Sequence, residues 1–150
     1  IKFEMEEAKK NKKALIKIKV NSICDLGIMD MLKKASRAGV KIQILCRGIC
    51  SIKPDENIAI YSIIGKNLEH SRIYEFYHAG AWKRFISSAD LLGRNLDKRI
   101  ELLIPVKDKD CGKKLNKIFN RIYRKDTFNK FVMKSNGKYK FLNGKVDTQK

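Results

Sequence analysis

A strand–helix–strand pattern near the start of the sequence restricts the possible folds more than any other feature. Its three segments are ALIKIKV at 14–20, a helical stretch at 25–38, and VKIQILC at 40–46. The first segment alternates apolar residues with lysine, which is the period of a strand, whereas the second repeats apolar residues at helical spacing. Asp25 occupies the N-cap position of this helix, and Gly39 follows its end. Because the connections are short, the pattern predicts a βαβ unit with parallel strands.

The rest of the sequence predicts further strands and two more helices in the same domain. We expect strands at 58–64, 72–77, 84–88 and 99–106, and helices at 2–11 and 108–124. His78 lies in the hairpin connection between the strands at 72–77 and 84–88, so we expect it to be a solvated loop residue. The second of these helices carries an apolar face made of Leu115, Ile118, Phe119 and Ile122. Two Asn-Gly turn signals follow it, so we expect one short hairpin or extended arm, and a loose tail over about 135–150. The sequence therefore predicts a single α/β domain that spans residues 1–150.

Arg47 directly follows the second strand of the predicted βαβ unit. Gly48 beside it allows the backbone to turn. In open α/β sheets, ligands collect at the carboxyl ends of the strands. A guanidinium at such a position offers a planar fork of donors that suits phosphate oxygens. We therefore predict that Arg47 binds phosphate, with an ordinary surface arginine as the alternative.

A second group of polar residues opens with His70 and Arg72, at the mouth of an apolar run. In a strand, residues two apart point to the same face, so the two side chains could address one ligand. Ser87 and Ser88 end the predicted strand at 84–88, and Arg94 follows it. A histidine beside fixed cations, with hydroxyls nearby, suits a phosphorylated substrate. The alternatives are a structural histidine and arginines that lie in solvent.

The charge of the chain indicates a polyanionic partner or substrate. Its formal net charge is +18, from 34 lysine and arginine residues against 16 aspartate and glutamate residues. Nucleic acid, acidic lipid and polyphosphate all match such an excess. The four cysteines and two histidines fit no zinc-ligand spacing, so we expect isolated buried thiols in a reducing cytosol. No apolar run is long enough to span a bilayer, so we expect no membrane span.

Four motifs resemble those of a known family. They are RGIC at 47–50, LEHSR at 68–72, SSAD at 87–90 and GRNLD at 93–97. In this order they resemble the C-terminal catalytic domain of bacterial polyphosphate kinase, the type-1 enzyme, and the similarity covers nearly the whole chain. The resemblance implies a phospholipase D-like fold, which is a mixed β-sheet flanked by helices that opens with the βαβ unit. It also implies that the chain is one domain of a longer polyphosphate kinase.

The resemblance further implies a reaction. The family enzyme reversibly transfers the terminal phosphate of ATP to inorganic polyphosphate, with Mg²⁺. Arg47 and His70 would then bind the nucleotide or the phosphate in transfer, and Arg72, Arg94 and Ser88 are further candidates. The phosphorylated histidine and the metal ligands are expected in preceding domains, so neither His70 nor His78 takes that role, and the isolated chain is expected to be inactive.

The expected partners follow from the same resemblance. They are ATP or ADP, polyphosphate, and the upstream domains of the same chain, in a full-length enzyme that we expect to be a homo-oligomer. We expect this enzyme in the cytoplasm, where it could associate with the membrane through the full-length complex.

The sequence departs from the family at two points, and two other functions stay open. The loop after RGIC is shorter than usual, and the phospholipase signature H-x-K-x4-D has Arg72 for lysine and Tyr77 for aspartate. Loss of that acid argues against a self-sufficient phosphodiesterase. A phospholipase D-like hydrolase or nuclease is nevertheless one alternative, because the histidine motif is present. A basic module that binds nucleic acid without catalysis is the other.

Overall fold

The structure, a computed structural model, describes residues 1–123, 129–142, 144–147 and 149. Within these ranges the strands are β1 (Leu15–Val20), β2 (Lys41–Cys46), β3 (Ile58–Ile63), β4 (Arg72–Phe76), β5 (Lys83–Ser87), β6 (Leu103–Pro105), β7 (Lys130–Met133) and β8 (Tyr139–Leu142). The helices are α1 (Lys2–Lys9), α2 (Leu26–Arg37), α3 (Gly93–Asp97) and α4 (Lys109–Tyr123), and a 3₁₀ turn (His78–Gly80) separates β4 from β5.

The eight strands form one mixed sheet in the order β6-β5-β4-β1-β2-β3-β7-β8. β1, β2 and β3 pair in parallel, which confirms the predicted βαβ unit and the parallel strand that follows it. β4 is antiparallel to β1, and β5 is antiparallel to β4. Strands β1, β2, β3 and β5 therefore end, and β4 begins, at one edge of the sheet, which we call the carboxyl edge. This mixed sheet with flanking helices confirms the predicted α/β class.

Helix α2 begins and ends where its sequence predicts. The Asp25 side chain accepts a hydrogen bond from the Ile28 N–H at 2.8 Å, which satisfies one of the donors left open in the first turn. Gly39 has a φ of 94°, the left-handed conformation that glycine adopts at a helix end. Leu32 and Ala35 of this helix are fully buried. They pack against the inward isoleucines of β1, β2 and β3, which are Ile16, Ile18, Ile42, Ile44, Ile58 and Ile60.

Helix α4 covers the other face of the sheet, with a different apolar face from the predicted one. Phe119 and Ile122 are buried against β2 and β3, as expected. Ile118 is 45% exposed, so its predicted place in the buried face is wrong, and Gly112 is buried instead. At about 100° per residue, Ile118 lies about 40° outside the arc set by Gly112, Phe119 and Ile122.

Strand β6 is shorter than the predicted strand at 99–106. It begins at Leu103, and the residues just before it bond instead to the side chains of Ser87, Ser88 and Asn95. Glu101 accepts hydrogen bonds from the side chains of Ser88 and Asn95. The Leu102 N–H donates to Ser88 Oγ at 2.9 Å. These contacts hold the segment as a loop, so Glu101 is not the strand residue that the sequence predicts.

The C-terminal hairpin is present and extends the sheet. β7 pairs with β3 and with β8, both antiparallel, around the first Asn-Gly turn signal. Residues 139–142 of the predicted loose tail therefore belong to the sheet. The second turn signal contains Asn143, and the predicted helix ends at Arg124; both lie outside the described residues. None of the helices in the described ranges is long and apolar enough to cross a membrane. Cys24 and Cys111 are exposed, so the prediction of buried thiols is wrong for these two, because they lie in the loop before α2 and in the first turn of α4.

Candidate active site

Arg47 and Asn21 occupy the first positions after two neighbouring parallel strands, β2 and β1. Nε and Nη2 of Arg47 donate to Asn21 Oδ1 at 3.2 and 3.0 Å. The Gly48 N–H donates to the Asn21 carbonyl at 2.7 Å. A Cβ at Gly48 would lie 2.9 Å from that carbonyl oxygen, so the close approach of the two turns requires glycine. The guanidinium of Arg47 is therefore held in a defined direction at the carboxyl edge.

Asp90, three residues after the end of β5, connects Asn21 to a second arginine. Its Oδ1 accepts the Asn21 backbone N–H at 2.8 Å, and its Oδ2 accepts Asn21 Nδ2 at 3.3 Å. Arg72 donates through Nε to Oδ1 at 3.2 Å and through Nη2 to Oδ2 at 3.1 Å. Burial disfavours the charged carboxylate, but the hydrogen bonds from Arg72 and Asn21 outweigh it and hold the pKa of Asp90 below its ordinary value.

His70 lies two residues before β4 and therefore at the same edge. Its carbonyl oxygen accepts Arg72 Nη1 at 3.1 Å. Its imidazole is exposed and makes no hydrogen bond or ion pair within the described part of the chain. His70 thus completes a hydrogen-bonded chain of five residues, Arg47–Asn21–Asp90–Arg72–His70, that crosses the carboxyl edge. The sequence argument that His70 and Arg72 point to the same face holds only for two residues within a strand. It does not apply here, because His70 precedes β4.

A buried lysine beside this chain was not a sequence candidate. Lys19 of β1 is 2% exposed, and its ammonium bonds to Ser71 and forms an ion pair with Glu69. Burial lowers the pKa of Lys19, repulsion from Arg47 and Arg72 acts in the same direction, and Glu69 opposes both. Asn21 and Asp90 were not candidates either. The one signal that could have found Asn21 is its place, like that of Arg47, directly after a strand of the βαβ unit.

The remaining sequence candidates make no hydrogen bond with Arg47 or with the imidazole of His70. Ser88 Oγ bonds to Glu101 and to the Leu102 backbone, and it therefore braces the loop before β6. Ser87 has a similar local role. Arg94 lies exposed on α3, and no residue in the described ranges pairs with it.

His78 lies at the opposite edge of the sheet, in the turn between β4 and β5. Its ring packs on Phe3 of α1, with 3.9 Å between ring centroids, and its backbone N–H donates to Glu4 Oε1 at 2.7 Å. It is half-buried, so the prediction of a solvated loop residue is wrong. The physical reason is that α1 packs against this turn, which the local sequence does not show.

A cavity of about 250 Å³ lies beside Arg47 at the carboxyl edge. It is lined by Arg47, Gly48, Ser62, Ile64, Phe131 and Tyr139. The hairpin of β7 and β8 therefore contributes two aromatic rings to the space next to the guanidinium.

The described residues do not form a metal site. They contain no group of three or more His, Cys, Asp or Glu side chains that could hold a metal ion.

The fold is similar to that of two solved structures, one of them a phospholipase D family member. NucT from Helicobacter pylori matches with a TM-score of 0.57 and 13% identity, over 79% of this chain and 83% of its own. Nuc from Salmonella typhimurium, a phospholipase D family member, matches with a TM-score of 0.56 and 10% identity, over 93% of this chain and 89% of its own. These likenesses confirm the predicted phospholipase D-like fold.

The chain belongs to the family described as polyphosphate kinase C-terminal domain 2, whose family model matches residues 1–150. This membership confirms the resemblance seen in the sequence motifs. The polyphosphate kinase of Helicobacter pylori strain J99 is 42% identical over 144 residues, which are 93% of this chain and 21% of that protein. The polyphosphate kinase of Staphylococcus haemolyticus is 50% identical over 105 residues, which are 67% of this chain and 15% of that protein.

A solved relative agrees closely in structure. The crystal structure of polyphosphate kinase from Porphyromonas gingivalis matches with a TM-score of 0.94 and 32% identity, over 99% of this chain and 24% of its own. The chain therefore spans between 15% and 24% of the length of these three polyphosphate kinases.

Proposed function

We propose that the chain forms part of the active site of an ATP:polyphosphate phosphotransferase, which moves the terminal phosphate of ATP reversibly to inorganic polyphosphate. The observation that supports this proposal is the hydrogen-bonded chain from Arg47 to His70 at the carboxyl edge of a polyphosphate kinase domain. Because the chain spans a small share of its relatives, upstream domains would complete the site, and the isolated chain would be inactive.

Arg47 would bind phosphate oxygens and neutralise charge in the transition state. Phosphoryl transfer depends mainly on positioning and on electrostatic stabilisation, with little covalent chemistry from the protein. Two nitrogens of Arg47 bond to Asn21, so donors on Nη1 stay available toward the adjacent cavity. A preorganised donor of this kind contributes about 3 kcal/mol to transition-state stabilisation.

His70 would donate a hydrogen bond or a proton to the phosphate in transfer. Its imidazole is exposed while its backbone is held by Arg72, so the ring can meet a ligand without losing an internal partner. An imidazole can both donate and accept a proton, which suits a group that alternates between donor and acceptor in a reversible reaction. Arg72 itself would position His70, because its donors are engaged by Asp90 and by the His70 carbonyl.

Other parts of the full-length enzyme would supply Mg²⁺ ligands and the histidine that becomes phosphorylated. The described residues of this chain offer no group of three or more His, Cys, Asp or Glu side chains for the metal. The resemblance also supports ATP, ADP and polyphosphate as the substrates. By the same resemblance, the full-length enzyme would be a cytoplasmic homo-oligomer that could associate with the membrane.

Turnover by the full-length enzyme tests the assignment. His70→Ala and Arg47→Ala should each lower polyphosphate synthesis from ATP by about 100-fold or more, with unchanged thermal unfolding. His78→Ala is the matched control, because it removes the other histidine of this chain at the opposite edge, and it should keep near-normal turnover. Near-normal turnover of either site variant would refute the proposal.

A diester substrate distinguishes the hydrolase alternative. Tyr77 occupies the place of the acid in the phospholipase signature, and its ring packs edge-on against Trp82 with 5.4 Å between centroids. The kinase proposal therefore expects no cleavage of bis(p-nitrophenyl) phosphate. Robust cleavage that is lost in His70→Ala would favour a phosphodiesterase instead.

A further inference from the structure

We propose that Lys19 is a positioning residue that orients His70 by holding the residues on both sides of it. The inference rests on the proposed function, because that function makes His70 a group that meets the phosphate. Lys19 lies one residue before the end of β1 and pairs with Ile73 of β4, so it stands beside the start of β4, where His70 lies.

All three donors of the Lys19 ammonium have acceptors in the segment that contains His70. Nζ lies 2.9 Å from Ser71 Oγ, 3.3 Å from the Ser71 carbonyl oxygen and 3.2 Å from Glu69 Oε2. An ammonium has three donors and no acceptor, so these contacts use its full capacity. The side chain of Lys19 is 2% exposed and that of Glu69 20%, so water competes little for these bonds. A single buried cation therefore holds the residue before His70 and the residue after it.

Two further contacts hold the same segment and leave the imidazole free. Arg72 Nη1 donates to the His70 carbonyl oxygen at 3.1 Å. Gln149 Nε2 donates to Glu69 Oε1 at 2.9 Å, so the Glu69 carboxylate lies between two donors. The backbone around His70 is thus restrained from β1, from β4 and from the C-terminal segment, while its ring projects without an internal partner.

Lys19 acts through these residues and does not touch the substrate. The space between Lys19, Arg47 and Glu69 is a cavity of about 10 Å³. Such a volume holds about one water molecule and no phosphate group. The larger cavity beside Arg47 is not lined by Lys19.

The chain offers a matched control on the same strand. Lys17 is two residues before Lys19, so it points to the same face of the sheet, and it is also buried. Its ammonium donates to Asn116 and Asn120 of α4, at 2.8 and 2.9 Å, and makes no hydrogen bond with residues 69–71. Loss of a buried lysine in general is therefore separable from loss of the contacts around His70.

The experiment compares Lys19→Met, Lys19→Arg and Lys17→Met in the full-length enzyme, with kcat and the KM for ATP measured for each. Lys19→Met should lower kcat by about 10-fold to 100-fold, since a displacement of about 1 Å in a reacting group has effects of this size. The KM for ATP should change by less than about 3-fold, because the donors of Arg47 are retained. Lys19→Arg should recover most of the rate, and Lys17→Met should stay within about 2-fold of the wild type.

A second variant keeps the test decisive if Lys19→Met fails to fold. Ser71 is exposed and loses only a hydroxyl in Ser71→Ala, which removes one acceptor of the Lys19 ammonium and should lower kcat with little change in the KM for ATP. A normal kcat for Lys19→Met, an equal loss in folded Lys17→Met, or a normal kcat for Ser71→Ala would overturn the inference. His70→Ala in the same assay separates the two proposals. If it is active, the proposed role of His70 fails, and if it is inactive while Lys19→Met is normal, only the inference fails.

Discussion

The Asp90 carboxylate accepts two hydrogen bonds from the Arg72 guanidinium, through Oδ1 at 3.2 Å and Oδ2 at 3.1 Å. The same carboxylate accepts the Asn21 backbone N–H at 2.8 Å. This arrangement explains why arginine stands where the phospholipase signature has lysine, because a planar fork can bond to both carboxylate oxygens at once. Arg72 is therefore a residue that ties the start of β4 to the segment after β5.

We expect Asp90→Asn to destabilise the chain by about 2 kcal/mol, because the half-buried Arg72 loses its charged partner. The measurement is the free energy of unfolding in urea. Asp30→Asn is the control, since Asp30 pairs with Lys34 at the surface and such pairs contribute little. Equal losses of unfolding free energy in the two variants would show that the Asp90–Arg72 pair stabilises the fold no more than a surface pair does.

The pH dependence of stability should also change in Asp90→Asn. The pKa of Asp90 is lowered in the folded state, so the unfolded state binds a proton more readily. The stability that Asp90 contributes is therefore present above its ordinary pKa of about 4 and is lost as the pH falls through the lower, folded-state pKa. The Tm difference between wild type and Asp90→Asn should shrink as the pH is lowered from 6 to 3. A difference that stays constant over this range would contradict the prediction.

Gly48→Ala should impair the full-length enzyme through Arg47. The added methyl would lie 2.9 Å from the Asn21 carbonyl oxygen, so the turn that carries Arg47 must shift. Overpacking of this kind costs about 1–3 kcal/mol, and polyphosphate synthesis should fall with it. Gly93→Ala is the control, because its methyl would meet the nearest atom, Asp97 Oδ2, at an ordinary 3.6 Å. Unchanged activity of Gly48→Ala would mean that the turn tolerates the methyl.

Phe119→Ala should destabilise the chain by about 3–5 kcal/mol, since this side chain is fully buried between α4 and the sheet. Ile118→Ala, one residue earlier and 45% exposed, should stay within about 0.5 kcal/mol of the wild type. Urea unfolding measures both. A larger loss of unfolding free energy for Ile118→Ala would support the buried helix face that the sequence predicts, in which Ile118 takes part.

The net charge of +18 should produce binding to duplex DNA that weakens steeply with salt and is displaced by polyphosphate. Fluorescence anisotropy of labelled DNA, titrated with polyphosphate at several salt concentrations, measures this competition. DNA binding that polyphosphate fails to displace would favour a nucleic-acid-binding module over the kinase.

Much of the fold was predictable, because its signals lie within short segments. The alternation in β1, the N-cap of α2 and the glycine at 39 each depend on neighbours a few residues away. The place of Arg47 after β2 was predictable for the same reason. The buried state of Lys19 was not, since alternating lysines in a strand are typical of a solvated face, and here α4 and the segment before β4 cover that face.

The sequence by itself determined the βαβ unit, the family, and the two residues, Arg47 and His70, on which the proposed chemistry depends. Only the tertiary structure decided that β4 lies beside β1, which brings His70, Arg72 and Asp90 next to Asn21. The physical reason is that a strand or helix is specified by contacts within about 4 residues, whereas the neighbour of a strand is chosen by burial and hydrogen bonding across the whole sheet. The partners of Asp90 and Lys19 follow from that choice.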